Sequence, residues 1–214
     1  MNRNGNRTEA YQPCSIADLD RAVAVLHEGG IVAFPTETYY GLAVDPFNPL
    51  ALNHLFALKQ RDTAKPIMTL VDDRDSLSVL VHEVPILYLQ LMEKFWPGPL
   101  TLIFPARINL PTLLTAGTAT VGVRQSSHPF ARQLLRAFGK PITATSANIS
   151  GRDAAVDAHE VKAQFGGRVD MIFDGGSTPG KTGSTIIGID GSRLKLIREG
   201  VIPYDDILQT VQKG

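Results

Sequence analysis

The 214 residues contain one cysteine, Cys14. No internal disulfide can form, and a lone thiol near a polar chain end, with no clear partner, is a poor nucleophile. No apolar run approaches the ~18 residues of a membrane span, and the opening MNRNGNRTEA lacks the apolar stretch of a secretory signal. A soluble, cytoplasmic protein with no membrane partner is therefore expected. The five histidines, His27, His54, His82, His128 and His159, lie far apart, with no HExxH pair and no Cys/His ligand spacing, which argues against a protein-built metal site. Neither GxxxxGKS/T nor GxGxxG occurs, so a bound nucleotide would not use a standard P-loop or Rossmann turn. Net charge is also missing: 21 basic residues balance 21 acidic ones, unlike a chain that holds nucleic acid by bulk electrostatics.

Acidic residues are absent from one long segment. Between Lys94 and Arg152 there is no Asp or Glu, while Lys94, Arg107, Arg124, Arg132, Arg136, Lys140 and Arg152 all fall there. Arg132 and Arg136, one helical turn apart, read as a solvated helix face; the segment as a whole suggests a surface built to meet an anion. With 43% hydrophobic residues the chain can bury a full core. Its 14 prolines and 19 glycines are spread along the sequence with no repeat or linker-like tract, which predicts one domain.

The periodicities place the elements. Ser15, with Asp18 three residues on, opens an apolar-periodic helix to Leu26 that Gly29-Gly30 closes. Pro49 suits the first helical position of LALNHLFAL, and a helix follows over about 85–95. HPFARQLLRAFG is a helix with a glycine stop, Ala158 to about Gln164 a short one, and Pro203 starts a terminal one. Apolar runs at 31–34, 67–71, 101–104, 120–123, 141–145, 169–173, 184–189 and 194–198 read as strands. Alternation of the two predicts an α/β class: a single domain with a twisted parallel or mixed sheet flanked by helices.

Polar clusters recur where these strands end. Thr36 and Thr38 follow 31–34, Arg124 follows 120–123, Ser146 and Asn148 follow 141–145, and Arg198 ends 194–198. Ligands of open α/β sheets bind outside the carboxyl ends of strands, where such residues converge. Each also has a plain structural account: Thr36 as a turn cap, Ser146 and Asn148 as a side-chain turn before Gly151, Arg198 as an edge-strand cation. Lys59-Gln60-Arg61 reads two ways. Its cations either meet the negative end of a helix dipole, or project from an extended chain as a fork suited to a polyphosphate.

PTETYYGLA, KQRDTAKPI, WPGPLT, TVGVRQSSHP, PITATSANISG, GSTII and IREG, in that order, closely resemble the YrdC-like family of threonylcarbamoyl-AMP synthases. The resemblance covers about residues 16–207, leaving 1–15 as a polar, mobile N-terminus and 208–214 as a tail. It implies a twisted α/β sheet with a concave basic cavity, and a nucleotidyltransferase reaction in which L-threonine, bicarbonate and ATP give threonylcarbamoyl-AMP and pyrophosphate, the first step towards threonylcarbamoyladenosine in tRNA. By analogy with the family, Thr36 and Arg124 hold threonine, with Arg124 on its carboxylate and Ser184 contributing. Lys59, Arg61 and Arg198 face ATP phosphates, while Thr120, Ser146, Asn148 and Ser184 supply hydrogen bonds. Lys59, Arg61 and Arg124 would carry the catalytic charge. Mg²⁺ would travel on the triphosphate, and the product would pass to tRNA or to a downstream threonylcarbamoyl transferase complex.

The chain departs from the family pattern in three places: Asp62 follows the KxR motif where proline is usual, Ser126 stands where the Arg124 loop often has proline, and Tyr39 replaces a commonly aliphatic residue. Asp62 is expected to weaken the phosphate fork. Trp96 reads as a core aromatic before a proline-glycine turn. Two other functions fit parts of the pattern: a double-stranded RNA or tRNA-binding module, from the acid-free segment, and a relative that adenylates a carbamoyl group from carbamoyl phosphate.

Overall fold

The computed structural model describes residues 15–212; Cys14 and the polar N-terminus before Ser15 lie outside it. Along the chain run α1 (Ile16–His27), β1 (Val32–Pro35), β2 (Tyr40–Ala43), α2 (Pro49–Lys59), β3 (Thr69–Leu70), α3 (Ile86–Phe95), β4 (Leu100–Pro105), α4 (Thr112–Thr115) and β5 (Thr120–Arg124). Then come α5 (Pro129–Phe138), β6 (Ile142–Thr143), β7 (Thr145–Ser146), α6 (Ala158–Phe165), β8 (Met171–Ile172), β9 (Thr185–Asp190), β10 (Arg193–Arg198) and α7 (Tyr204–Gln212).

The helix ends follow local chemistry. The Ser15 hydroxyl accepts from Asp18 N at 3.1 Å, and Asn48 Oδ1 accepts from Leu50 N and Ala51 N ahead of Pro49, so each cap satisfies N–H groups that the helix itself cannot. Gly139, at φ 71°, ends α5 in the left-handed conformation that suits glycine. One face of α5 buries Phe130, Ala131, Leu134, Leu135 and Phe138. These side chains join Ala22 and Leu26 of α1 and Val32 and Phe34 of β1 in one cluster, where the Phe130 ring stacks on Phe173 at 3.7 Å. Ala33 points the other way, into the larger cluster around Tyr40, Leu42, Leu102 and Phe104. The two faces of β1 are thus both covered, which is why 31–34 reads as an unbroken apolar run.

The α/β class holds, with mixed strand pairing, but the strands form two sheets rather than one: β7-β2-β1-β8 and β10-β9-β4-β5-β3-β6. The expected strand over 141–145 splits into β6 and β7, which join different sheets across the single residue Ala144. β2, which the periodicity does not predict, forms an antiparallel hairpin with β1 in the register Pro35↔Tyr40. Residues 208–212, expected as a tail, continue α7. No helix among the described residues is long and apolar enough to cross a membrane.

Candidate functional site

The hairpin tip between β1 and β2 is both a turn and a wall. Thr36 Oγ1 donates to Tyr39 O at 2.7 Å and lies 3.0 Å from Thr38 Oγ1, closing the turn, while Thr36, Thr38 and Tyr39 all line a cavity of about 640 Å³. From the same sheet, Thr145 and Ser146 reach this cavity; from the six-stranded sheet come Ile103, Thr120, Arg124, Ile186, Ile197 and Arg198. Ser184, just before β9, also lines it. The cavity therefore lies between the two sheets, and residues far apart in sequence converge on it.

Its cations are Arg61, Arg124, Lys181 and Arg198, and no carboxylate is among its lining residues. Burial, and then the nearby Arg124, push the pKa of Arg198 below its ordinary value. Burial does the same to Arg61, partly countered by Asp62. A guanidinium stays charged in proteins, so each remains a half-buried positive charge. Arg198 is aimed by Ser184: Nη2 donates to Ser184 O at 2.7 Å and to Ser184 Oγ at 3.3 Å, and that hydroxyl lies 2.8 Å from Thr101 Oγ1. Arg61 donates to Lys65 O and to Pro66 O, the latter at 2.8 Å. Thr120 Oγ1 lies 2.8 Å from Thr118 Oγ1.

Arg124 is the last residue of β5 rather than the one after it. It is 6% exposed, and its Nη1 donates to Glu37 Oε1 at 2.6 Å. Glu37, at the hairpin tip, is a site residue that the sequence reading passed over. Asp62 caps its own turn by accepting from Ala64 N at 2.9 Å, and its charge acts on the neighbouring Arg61.

Two of the expected site residues do not line the cavity: Lys59 and Asn148. α2 runs through Lys59 and ends on Gln60 in the left-handed conformation, so the extended-chain fork does not form. Lys59 Nζ turns inward and donates to Ser146 O, Asn148 O and Asn148 Oδ1. Asn148 Oδ1 also accepts from Ser146 Oγ at 2.6 Å, and its Nδ2 donates to Ile149 O and Arg152 O. Both side chains build the loop that presents Ser146 to the cavity. Burial pushes the Lys59 pKa down to about 7, helped by Arg61.

The acid-free segment is not one basic surface. Of its seven cations only Arg124 lines the cavity; Arg136 pairs with Asp72, Lys140 with Asp45, Arg107 holds Ser78 O, and Lys94 holds Thr210 Oγ1. Lys181, which does line the cavity, comes from the glycine-rich stretch 175–183, and its signal was a cation among turn residues. Trp96 sits in the core with Nε1 donating to Leu100 O at 2.7 Å. Among the described residues no group of three or more His, Cys, Asp or Glu is placed to hold a metal ion.

The two sheets of this α/β fold flank a cavity lined by guanidinium and hydroxyl groups, chemistry suited to an anionic, hydrogen-bonding ligand. The chain belongs to the Sua5/YciO/YrdC family, whose sequence profile, described as "Telomere recombination", matches residues 24–200. It is similar to the threonylcarbamoyl-AMP synthase of Pyrococcus abyssi, 37% identical over 190 residues that cover 89% of this chain and 56% of that protein. The chain thus spans little more than half of that relative's length. The threonylcarbamoyl-AMP synthase of Vibrio cholerae is 37% identical over 187 residues, 86% of this chain and 98% of that one. Among solved structures, P. abyssi Sua5 complexed with L-threonine superposes with a TM-score of 0.90 at 35% identity, over 93% of this chain and 58% of that one.

Proposed function

We propose that the chain is a cytoplasmic threonylcarbamoyl-AMP synthase, converting L-threonine, bicarbonate and ATP into threonylcarbamoyl-AMP and pyrophosphate. The observation that carries this reading is the wall of Arg61, Arg124, Lys181 and Arg198 with its hydroxyls and without a lining carboxylate, in a chain whose relatives in P. abyssi and V. cholerae bear that name.

Threonine's amine forms a C–N bond to the bicarbonate carbon, one C–O bond breaks, and the departing oxygen leaves as water with the amine proton, giving an N-carboxylate. One of its oxygens attacks the α-phosphorus of ATP; a P–O bond forms there, the bond to the β-phosphate breaks, and pyrophosphate leaves. An anion attacks an anion, so the site's task is to cancel charge, align the reactants and keep water from a labile mixed anhydride. In this reading Thr36 and Arg124 hold threonine, with Arg124 taking the carboxylate through parallel N–H donors. Arg61 and Arg198 meet the phosphates, Thr120, Ser146 and Ser184 donate or accept around the nucleotide, and Lys59 with Asn148 shapes the loop beneath Ser146. Mg²⁺ enters as part of the Mg–ATP substrate. The product is consumed by a transferase that acts on tRNA.

The test is pyrophosphate release from ATP with threonine and bicarbonate supplied together, singly and not at all, followed by the mass of the product. Release should need both, and the product should contain threonine, one carbonate carbon and AMP. Release that proceeds equally without threonine, or that needs carbamoyl phosphate in its place, would refute the reading.

A further inference from the structure

Ser126 is fully buried, outside the cavity lining, and two residues past Arg124. Its hydroxyl has two partners: it accepts from His128 N at 3.2 Å and shares a short hydrogen bond with Glu37 Oε2. Because an N–H points at its lone pair, the hydroxyl hydrogen goes to Glu37. The carboxylate of Glu37 is thus divided, with Oε1 on Arg124 Nη1 and Oε2 on Ser126.

That division affects the substrate. Arginine offers five N–H donors in a planar fork, and an unconstrained carboxylate takes two of them in parallel. A doubly bound Glu37 would claim one edge of the guanidinium and draw it back from the cavity. With Oε2 held by Ser126, Glu37 pairs through one oxygen and leaves an edge of the fork for an incoming carboxylate. The loop has anchors besides Ser126: Gln125 Nε2 donates to Asp72 O, and Gln125 O accepts from Gly98 N at 2.8 Å.

We propose that Ser126 is a positioning residue for the amino-acid substrate, acting through Glu37 to keep the Arg124 fork open. The proposal rests on the functional reading above, in which Arg124 binds the substrate carboxylate. A side chain without a hydroxyl at 126 frees Oε2, and Glu37 then competes with threonine for the same donors.

The experiment is steady-state pyrophosphate release by the full chain, varying threonine at saturating ATP and then ATP at saturating threonine, with thermal melts alongside. It compares wild type, Ser126→Ala, Glu37→Gln and the double variant. Losing one hydrogen bond to a charged group predicts that Ser126→Ala raises the threonine KM roughly ten-fold, with the ATP KM near wild type and a modestly lower melting temperature from unpairing Glu37 Oε2 and His128 N. If Ser126 acts only through Glu37, the double variant matches Glu37→Gln alone. An unchanged threonine KM, an equal rise in both KM values, a matching collapse in melting temperature, or additive effects in the double variant would overturn the proposal. Threonine-independent release by the wild type would instead overturn the functional reading, and the proposal with it.

Discussion

The ammonium of Lys59 donates to the main-chain carbonyl of Asn148 at 2.7 Å, across 89 residues of sequence. The carbonyl of Lys59 in turn accepts from Ser150 N at 2.8 Å, so the end of α2 grips the loop after β7 by side chain and main chain together. This fixes where Ser146 meets the cavity.

Replacing Lys59 with methionine keeps the stem and removes the donors, leaving the Asn148 carbonyl without its Lys59 partner, while Ser146 O keeps Asn148 N at 2.9 Å. An unsatisfied buried polar group costs about 1–3 kcal/mol, so Lys59→Met should lower the melting temperature visibly. An unchanged melt would mean that water replaces the ammonium without loss.

The same residue predicts a pH dependence. Burial lowers the Lys59 pKa from 10.5 to about 7 in the folded protein. Between those values the unfolded chain binds more protons than the native one, so this residue makes stability rise with pH across that window. Chemical denaturation at several pH values should show a rising limb in wild type that flattens in Lys59→Met; equal slopes in the two proteins would exclude Lys59 as its source.

Arg61 faces the cavity while Lys59 does not, so the two halves of the KxR motif should separate experimentally. Arg61→Ala should weaken ATP binding by roughly ten- to a hundred-fold, the value of a charge-assisted hydrogen bond, and leave threonine affinity nearly intact. Calorimetric titration with each ligand decides it; equal losses for both would place Arg61 in the frame rather than on the nucleotide.

Arg124→Lys keeps the charge and loses the planar fork. Threonine affinity should fall by roughly ten- to a hundred-fold, with the ATP requirement less affected. A loss of affinity matched by an early thermal melt would show instead that the ion pair with Glu37 supports the fold.

Tyr40 links the hairpin to the glycine-rich stretch that carries Lys181: its hydroxyl donates to Gly176 O at 2.8 Å and accepts from Gly175 N at 3.1 Å. Tyr40→Phe should cost about 1–3 kcal/mol, the penalty of leaving such groups unpaired, and speed amide exchange at Gly175. Slow exchange in the variant would argue that other bonds of the stretch hold it alone.

Local signals were legible where chemistry is local. Ser15, Pro49 and Gly139 mark helix ends because caps and stops depend on a few neighbours. β2 was hidden because TETY reads as a turn and Gly41 as a breaker; in fact the whole of 40–43 is buried, and Gly41 lets the Phe34 ring approach, with a Cβ there falling 3.3 Å from it. The break at Ala144 could not be read either, since a run of apolar and hydroxyl residues says nothing about which sheet each half will join. Thr36, Thr38, Arg124, Ser146 and Arg198 meet in one cavity as their positions at strand ends suggested, while Asn148 does not line it; of the others that line it, Thr120 and Ser184 were named only through the family resemblance, and Arg61 through the Lys59-Gln60-Arg61 pattern. The direction of Lys59 turned on Gln60 entering a left-handed conformation, a choice that no charge pattern encodes; Glu37 is recognisable only through the arginine it holds, and Ser126 only through Glu37.

Since the chain passes between sheets at Ala144, the cavity's opposing walls belong to different sheets, stitched at that crossing where Thr143 N donates to Val44 O and Thr143 Oγ1 donates to Leu42 O. A ligand touching Thr36 and Ser146 on one wall and Ser184 and Arg198 on the other is then a strut. It spans two plates that are stitched at one edge, by Ala144 and by the bonds of Thr143 to the end of β2.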